Sequence, residues 1–155
     1  MRRINMKRTP LKRKTPMRKG PKAKTRGWYS KELDKIAKRF AKERDGYTCQ
    51  MSGEKVSGSN AHGSHVIPVS AGLNLRWDLH NIKCLSYHNH LNVWHKSPLE
   101  AAEWFRKKFP WRWQYLQERR EVRTKISTPD LMEFYEIAKG CGGWKEYQTA
   151  YENFF

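Results

Sequence analysis

All six histidines of this 155-residue chain fall between His62 and His95. Three side chains in and around that window have types and spacing suited to chemistry. His65 stands in "SHVIP", where Val66 and Ile67 read as the end of a short buried strand that Pro68 stops. Asn81 comes sixteen residues later, immediately before a second strand, "NIKCLS". His88 lies seven residues beyond Asn81, in "YHNHLNVW", which reads as a helix. An imidazole, an amide and an imidazole on strand, turn and helix suit phosphodiester hydrolysis. One ring takes a proton from water, the amide fixes that ring's tautomer, and the second ring holds a divalent cation on the phosphate. This requires His65 and His88 to face one pocket.

The pattern "SHVIP…NIKCLSYHNH" resembles the signature of the HNH (ββα-metal) nucleases. The longer string "HGSHVIPVSAGLNLRWDLHNIKCLSYHNHLNVWHKSPLEAAEWF" is similar to phage recombination nucleases of the NinG type, with an LRWD segment and a Ser-Pro helix start. The similarity covers about residues 47–115. It implies that His65 is the general base, working through Nε2, that Asn81 orients it, and that His88 ligates the metal. Mg²⁺ or Mn²⁺ is the expected ion, with Zn²⁺ or Ni²⁺ fitting the same site. The family's other ligand directly precedes the base as Asp or His. Here that position is Ser64, a poor ligand, so His62, Asp78, Asn92 or water are the candidates to replace it. Relatives also carry a structural zinc on two CxxC pairs. Cys49-Gln50-Met51-Ser52 and Cys84-Leu85-Ser86-Tyr87 have each lost the second thiol, so no structural zinc is expected. The rival is a hybrid Cys49/Cys84 site completed by His90 or another histidine.

Helices must frame this unit. Leu33, Ile36, Ala37, Phe40 and Ala41 recur at helical spacing behind Ser30, which reads as the N-cap. Ser97-Pro98-Leu99-Glu100 predicts a helix start, burying Leu99, Ala102 and Phe105. Pro110 opens a further helix through Arg123. Thr128-Pro129-Asp130 caps another, with Leu131, Phe134, Tyr135 and Ala138 inward, and a last one covers Lys145 to Glu152. The expected class is α+β: a basic arm (1–27), an N-terminal helix (28–46), a small ββα-metal core (47–96) and a helical extension (97–155). Trp94, Trp104, Trp111 and Trp113 read as packing residues, with a base-stacking platform as the rival. His80 reads as a surface loop residue. His90 and His95 are either second-layer or DNA-facing groups, or plain helix surface.

The formal net charge is +17, and residues 1–26 supply twelve Lys or Arg with no acid. Thr-Pro repeats at 9–10 and 15–16 forbid a helix there, so the arm reads as disordered or polyproline-like. Its expected partner is DNA, met through the phosphates by Arg2, Arg3, Lys7, Arg8, Lys12, Arg13, Lys14, Arg18 and Lys19. Arg76 is a further phosphate clamp, or else the partner of Asp78. A membrane surface is the poorer match, because the arm has no apolar face and no stretch approaches the ~20 apolar residues of a span. No secretory leader is apparent, so an intracellular, cytoplasmic protein is expected. Three widely spaced cysteines argue against a disulfide framework. The function expected from all this is metal-dependent cutting of duplex or branched DNA, phage-encoded and linked to recombination or attack on foreign DNA. The alternatives are a non-catalytic nucleic-acid-binding protein on a degenerate scaffold, and an inhibitor using its Trp-rich helices. A homodimer is one option for its assembly.

Overall fold

The computed structural model describes residues 23–122 and 125–155. Most of the basic arm, and every arm residue named above, lies outside the described residues. Helix α1, Arg26–Arg44, begins before Ser30, because Thr25 supplies the cap: its hydroxyl accepts the Trp28 N–H at 3.2 Å. Tyr29, Leu33, Ala37, Phe40 and Ala41 form its buried stripe. The chain then reverses through Gly46 and Tyr47, both in the left-handed region (φ +57° and +49°). A single bridge, Thr48 with Lys55, closes the short loop that carries Cys49.

Strands β1, Ala61–His65, and β2, Ile82–Ser86, form a two-stranded antiparallel sheet in which Gly63 faces Cys84, Ser64 faces Lys83 and His65 faces Ile82. Val66 and Ile67 lie past the strand end, contrary to the expectation, because Asn81 takes over from the ladder there. Its carbonyl accepts Val66 N–H at 2.8 Å and its Oδ1 accepts Ile67 N–H at 2.7 Å. Gly63 is where α1 crosses β1; a Cβ there would stand 2.8 Å from the Lys38 side chain, so only glycine allows this approach.

After β2 the backbone runs through a π-helical segment, Asn89–Trp94, into α2 (Pro98–Lys108), α3 (Pro110–Glu121), α4 (Thr128–Gly140) and α5 (Trp144–Phe154). The class is therefore α+β. Helix α4 is capped one residue earlier than expected, by Ser127 in a reciprocal box with Asp130. Leu99 is 86% exposed rather than buried; Ala101 and Phe105 carry the inward face of α2 instead. Two apolar cores share the sheet as a common wall. One joins α1, α4 and α5 around Leu33, Phe40, Phe134, Tyr147 and Tyr151, and takes Ile82 from β2. The other packs α2 and α3 against the hairpin around Leu85, Trp94, Phe105 and Leu116. Among the described residues no helix is long and apolar enough to cross a membrane.

The 3₁₀ turn before β2, Leu79–Asn81, is gripped from two sides. Arg44 at the end of α1 donates to the carbonyls of Leu79 and, at 2.8 Å, Ile82. Arg112 of α3 donates to the carbonyls of His80 (2.7 Å) and Ile82 (3.1 Å). Burial, then the neighbouring Arg44 charge, pull the Arg112 guanidinium down to about 9. The two guanidinium groups, aimed at the carbonyls of Leu79, His80 and Ile82, hold rigid the turn that presents Asn81.

Candidate active site

Asp34, on α1, starts the chain of contacts that places His65. Its carboxylate accepts two bonds from the Arg76 guanidinium (2.8 and 2.7 Å) and one from the Trp77 indole (3.0 Å). Arg76 therefore neither pairs with Asp78 nor stands free to clamp a phosphate. What it offers the site is its backbone. The Arg76 carbonyl lies 2.8 Å from His65 Nε2. A carbonyl oxygen only accepts, so Nε2 carries the proton and the free lone pair is on Nδ1. This corrects the expectation that Nε2 is the basic nitrogen. Burial holds the His65 imidazole below its ordinary range, with Lys38 adding to the effect and Asp34 opposing it. The ring is neutral at neutral pH.

Asn81 does not touch His65. Fully buried, it accepts Ile67 N–H at 2.7 Å and donates to the carbonyls of Ile67 (3.0 Å) and Leu75 (2.9 Å). It pins the loop that carries Arg76, and so steadies His65 at one remove. The carbonyl of Arg76, not an amide, sets the tautomer.

His88 is not in this site. It is exposed on the outer face of its helix, and its Nδ1 lies 3.3 Å from Asn92 Nδ2, one turn away. The remaining ligand candidates fail for separate reasons. Asp78 is an interior residue, its oxygens occupied by His80 N–H (2.8 Å), Tyr115 OH (2.9 Å) and Gln148 Nε2 (3.2 Å). Ser64 alternates with His65 along the strand, so its side chain turns inward, where the hydroxyl has no partner among the described residues. Its cross-strand neighbour Lys83 is equally buried, its Nζ 3.0 Å from the centre of the Trp94 ring. Burial, then Arg112, push that amine well below its usual range.

The histidines that do share the pocket of His65 are His90 and His95. With Lys38, Gly63, Trp94 and Pro98 they line a cavity of about 570 Å³. Five residues apart, they would point in different directions on an α-helix. The π turn brings them into line: the i to i+5 bond that defines it runs from His95 N–H to the His90 carbonyl at 3.2 Å. Their Nε2 atoms end 3.0 Å apart. Behind them, His62 Nδ1 lies 2.9 Å from His90 Nδ1, and His62 Nε2 lies 3.0 Å from the Ser59 carbonyl. Burial, then the adjoining His95 and His62, bring the His90 imidazole down to about 4. Among the described residues no group of three or more His, Cys, Asp or Glu is arranged to hold a metal ion. The Nε2 pair of His90 and His95 would offer a cation two donors. Two imidazole nitrogens about 3 Å apart fit adjacent positions around one cation at the usual ~2.1 Å metal–nitrogen distance, leaving other positions for water and phosphate.

His90 is not turned to the cysteines for a shared metal, since both its ring nitrogens face other histidines. Burial raises the Cys49 thiol, but hydrogen bonds from Ser52, Ser86 and Asn89 overcome it and bring the group down to about 7. Cys84 is pushed up to about 11 by burial and by Asp45. His80 is not a bare surface residue; its ring sits edge-on to Trp111 and Tyr115. Trp94 is buried and Trp111 is 58% exposed, so the tryptophans divide between core and surface.

No family model, no curated protein and no solved structure matches this chain.

Proposed function

We propose that the protein is a metal-dependent DNA endonuclease of the HNH kind, with His65 as base and His90 and His95, in place of His88, as the cation's protein ligands. The observation that carries this reading is the pairing of a base with a defined free nitrogen and a convergent imidazole pair in one cavity. His65 Nδ1 takes the proton of the attacking water, whose oxygen bonds to phosphorus as the P–O3′ bond breaks. The imidazolium so formed stays tied through Nε2–H to the Arg76 carbonyl, whose dipole favours the charged ring. Lys38, at the cavity rim, draws the phosphate in. A cation bound there supplies neutralisation of charge on the phosphate and on the departing oxygen.

The donor set also bears on which cation. The cavity lining offers imidazoles and no carboxylate. Mg²⁺ and Mn²⁺ ask for hard oxygen ligands, whereas imidazole suits Ni²⁺ or Zn²⁺. The expected order is therefore Ni²⁺ or Zn²⁺ ahead of Mg²⁺ and Mn²⁺. A supercoiled-plasmid nicking assay tests the whole reading: relaxed circles form with Ni²⁺ or Zn²⁺, form poorly with Mg²⁺ or Mn²⁺, and vanish with EDTA or in His90→Ala and His95→Ala. If no cation supports nicking while the protein still retards DNA, the non-catalytic binding protein is the correct description.

DNA as partner rests on the charge of the arm. Deleting residues 1–26 removes twelve cationic side chains. The slope of log K against log salt then falls by roughly one for each phosphate that the arm neutralises. A filter-binding series in which the slope is the same with and without the arm removes it from the interface.

A further inference from the structure

We propose that His62 is a positioning residue: anchored on the Ser59 carbonyl, it fixes the tautomer of His90 so that His90 Nε2 presents a lone pair to a cation. The inference rests on the metal seat proposed above, and it follows from donor and acceptor rules applied along one chain of hydrogen bonds.

The chain begins at a group that has no choice. The Ser59 carbonyl can only accept, so His62 Nε2, 3.0 Å away, carries a proton. A neutral imidazole has one N–H, which leaves His62 Nδ1 as an acceptor. His90 Nδ1, 2.9 Å from it, must then donate. His90 Nε2 is left with a lone pair, and it accepts from His95 Nε2–H at 3.0 Å. One carbonyl in a 3₁₀ turn, Gly58–Asn60, thus sets the protonation pattern of three rings in series.

The consequence for the two ligands is unequal. His90 is ready to ligate without moving a proton, because His62 already holds its N–H at the far side of the ring. His95 is not: for its Nε2 to ligate, the proton leaves Nε2 and the neutral ring takes one on Nδ1. The ring's charge is unchanged, and water carries the proton between the two nitrogens. His62 itself is not a ligand, since its Nδ1 is turned to His90 and its Nε2 to the chain. Metal-binding histidines commonly depend on such an outer partner, whose loss costs about 10–100-fold in metal affinity. The usual partner is a carboxylate or a carbonyl. Here a second imidazole relays the carbonyl's preference.

The test uses the full-length protein at pH 7.5, with ¹⁵N-labelled histidine and Zn²⁺ as a diamagnetic probe. In the metal-free wild type, long-range ¹H–¹⁵N spectra show His90 protonated on Nδ1 and His95 on Nε2. On adding Zn²⁺, His95 switches to the Nδ1–H form while His90 keeps its tautomer. His62→Phe removes the acceptor but keeps a ring; its Zn²⁺ Kd, from calorimetry, weakens by about 10–100-fold. His62→Gln supplies both an amide oxygen for His90 and an N–H for Ser59, and brings the Kd back to within a few-fold of wild type. His90→Ala serves as the control for zinc held by the cysteines. A wild-type His90 protonated on Nε2, or a His62→Phe Kd equal to wild type, overturns the positioning role and leaves the metal seat standing. A wild type whose zinc binding is indifferent to His90→Ala overturns the seat and the proposal together.

Discussion

His65→Ala loses DNA nicking by at least about 10²-fold, and by as much as about 10⁴-fold, while its affinity for DNA stays within a few-fold of wild type. The range is that of general-base catalysis by a positioned side chain. Binding survives because His65 contributes no charge at neutral pH, and because most of the formal +17 lies in the arm. The variant should also fold. His65 is only partly buried, and its loss frees one carbonyl that water can reach. The pH profile of the wild type gives an independent check. Burial keeps the folded-state pKa of His65 below its ordinary value of about 6.5. The base is therefore in its active form throughout the neutral range, and kcat/KM falls only as pH drops through that depressed value. An acid limb with its midpoint above about 6.5, or cutting by His65→Ala at the wild-type rate, removes His65 from the reaction.

Asn81→Ala is expected to destabilise the whole fold rather than merely silence the site. Three buried backbone groups lose their partners: the N–H and C=O of Ile67 and the carbonyl of Leu75. An orphaned buried group costs about 1–3 kcal/mol, so the combined loss is about 3 kcal/mol or more. That is a large share of the roughly 5–15 kcal/mol that stabilises a domain. Urea denaturation should show a midpoint lowered by more than about 1 M at ordinary slopes for a domain of this size. Asn81→Asp separates hydrogen bonding from size. It keeps the acceptor for Ile67 N–H but turns an oxygen toward two carbonyls where a donor stood. A buried carboxyl facing carbonyls has its pKa raised in the folded state. Its stability contribution is accordingly greatest in acid and is lost as pH rises through the folded value. Asn81→Asp should thus be as unstable as Asn81→Ala at neutral pH and recover part of the difference near the ordinary carboxyl pKa of about 4. Wild-type stability in either variant would show that the amide network carries no weight.

The same two residues show how much of the molecule is legible in its letters. Strand β2 and its preceding Asn81 can be read directly, because "NIKCLS" is a compact run bounded by a turn residue. Helices α1 to α5 can be found from apolar spacing and Pro starts, with ends wrong by a few residues where a neighbouring hydroxyl, Thr25 or Ser127, captures the cap. The role of Asn81 as a tie for the loop is legible in part, and so is the place of His65 at the end of its strand. What is hidden is which nitrogen of His65 is free, since that depends on a backbone carbonyl eleven residues away, positioned by Asp34 on a different helix. The alignment of His90 with His95, on which the proposed metal seat rests, is hidden for another reason. Helical spacing of about 3.6 residues sets His88 with Asn92 on one face, and that pair does meet, but on the outside. His90 and His95 fall out of phase in any α-helical reading, and only a wider turn restores them. A pair of histidines five apart next to a strand is the one signal that would have pointed there.

That wider turn also determines how the site can vary over time. Substitutions at Leu91, Asn92 or Val93 leave the count of residues intact and with it the alignment of the two rings. Loss of a single residue among them would leave the two histidines four apart on an ordinary α-turn, where their rings still share a face, whereas gain of one would leave them six apart and part His95 from His90. Natural variation in this stretch should therefore run through exchanges of one amino acid for another or the loss of one residue, with insertions excluded, even though the stretch lies in part at the surface.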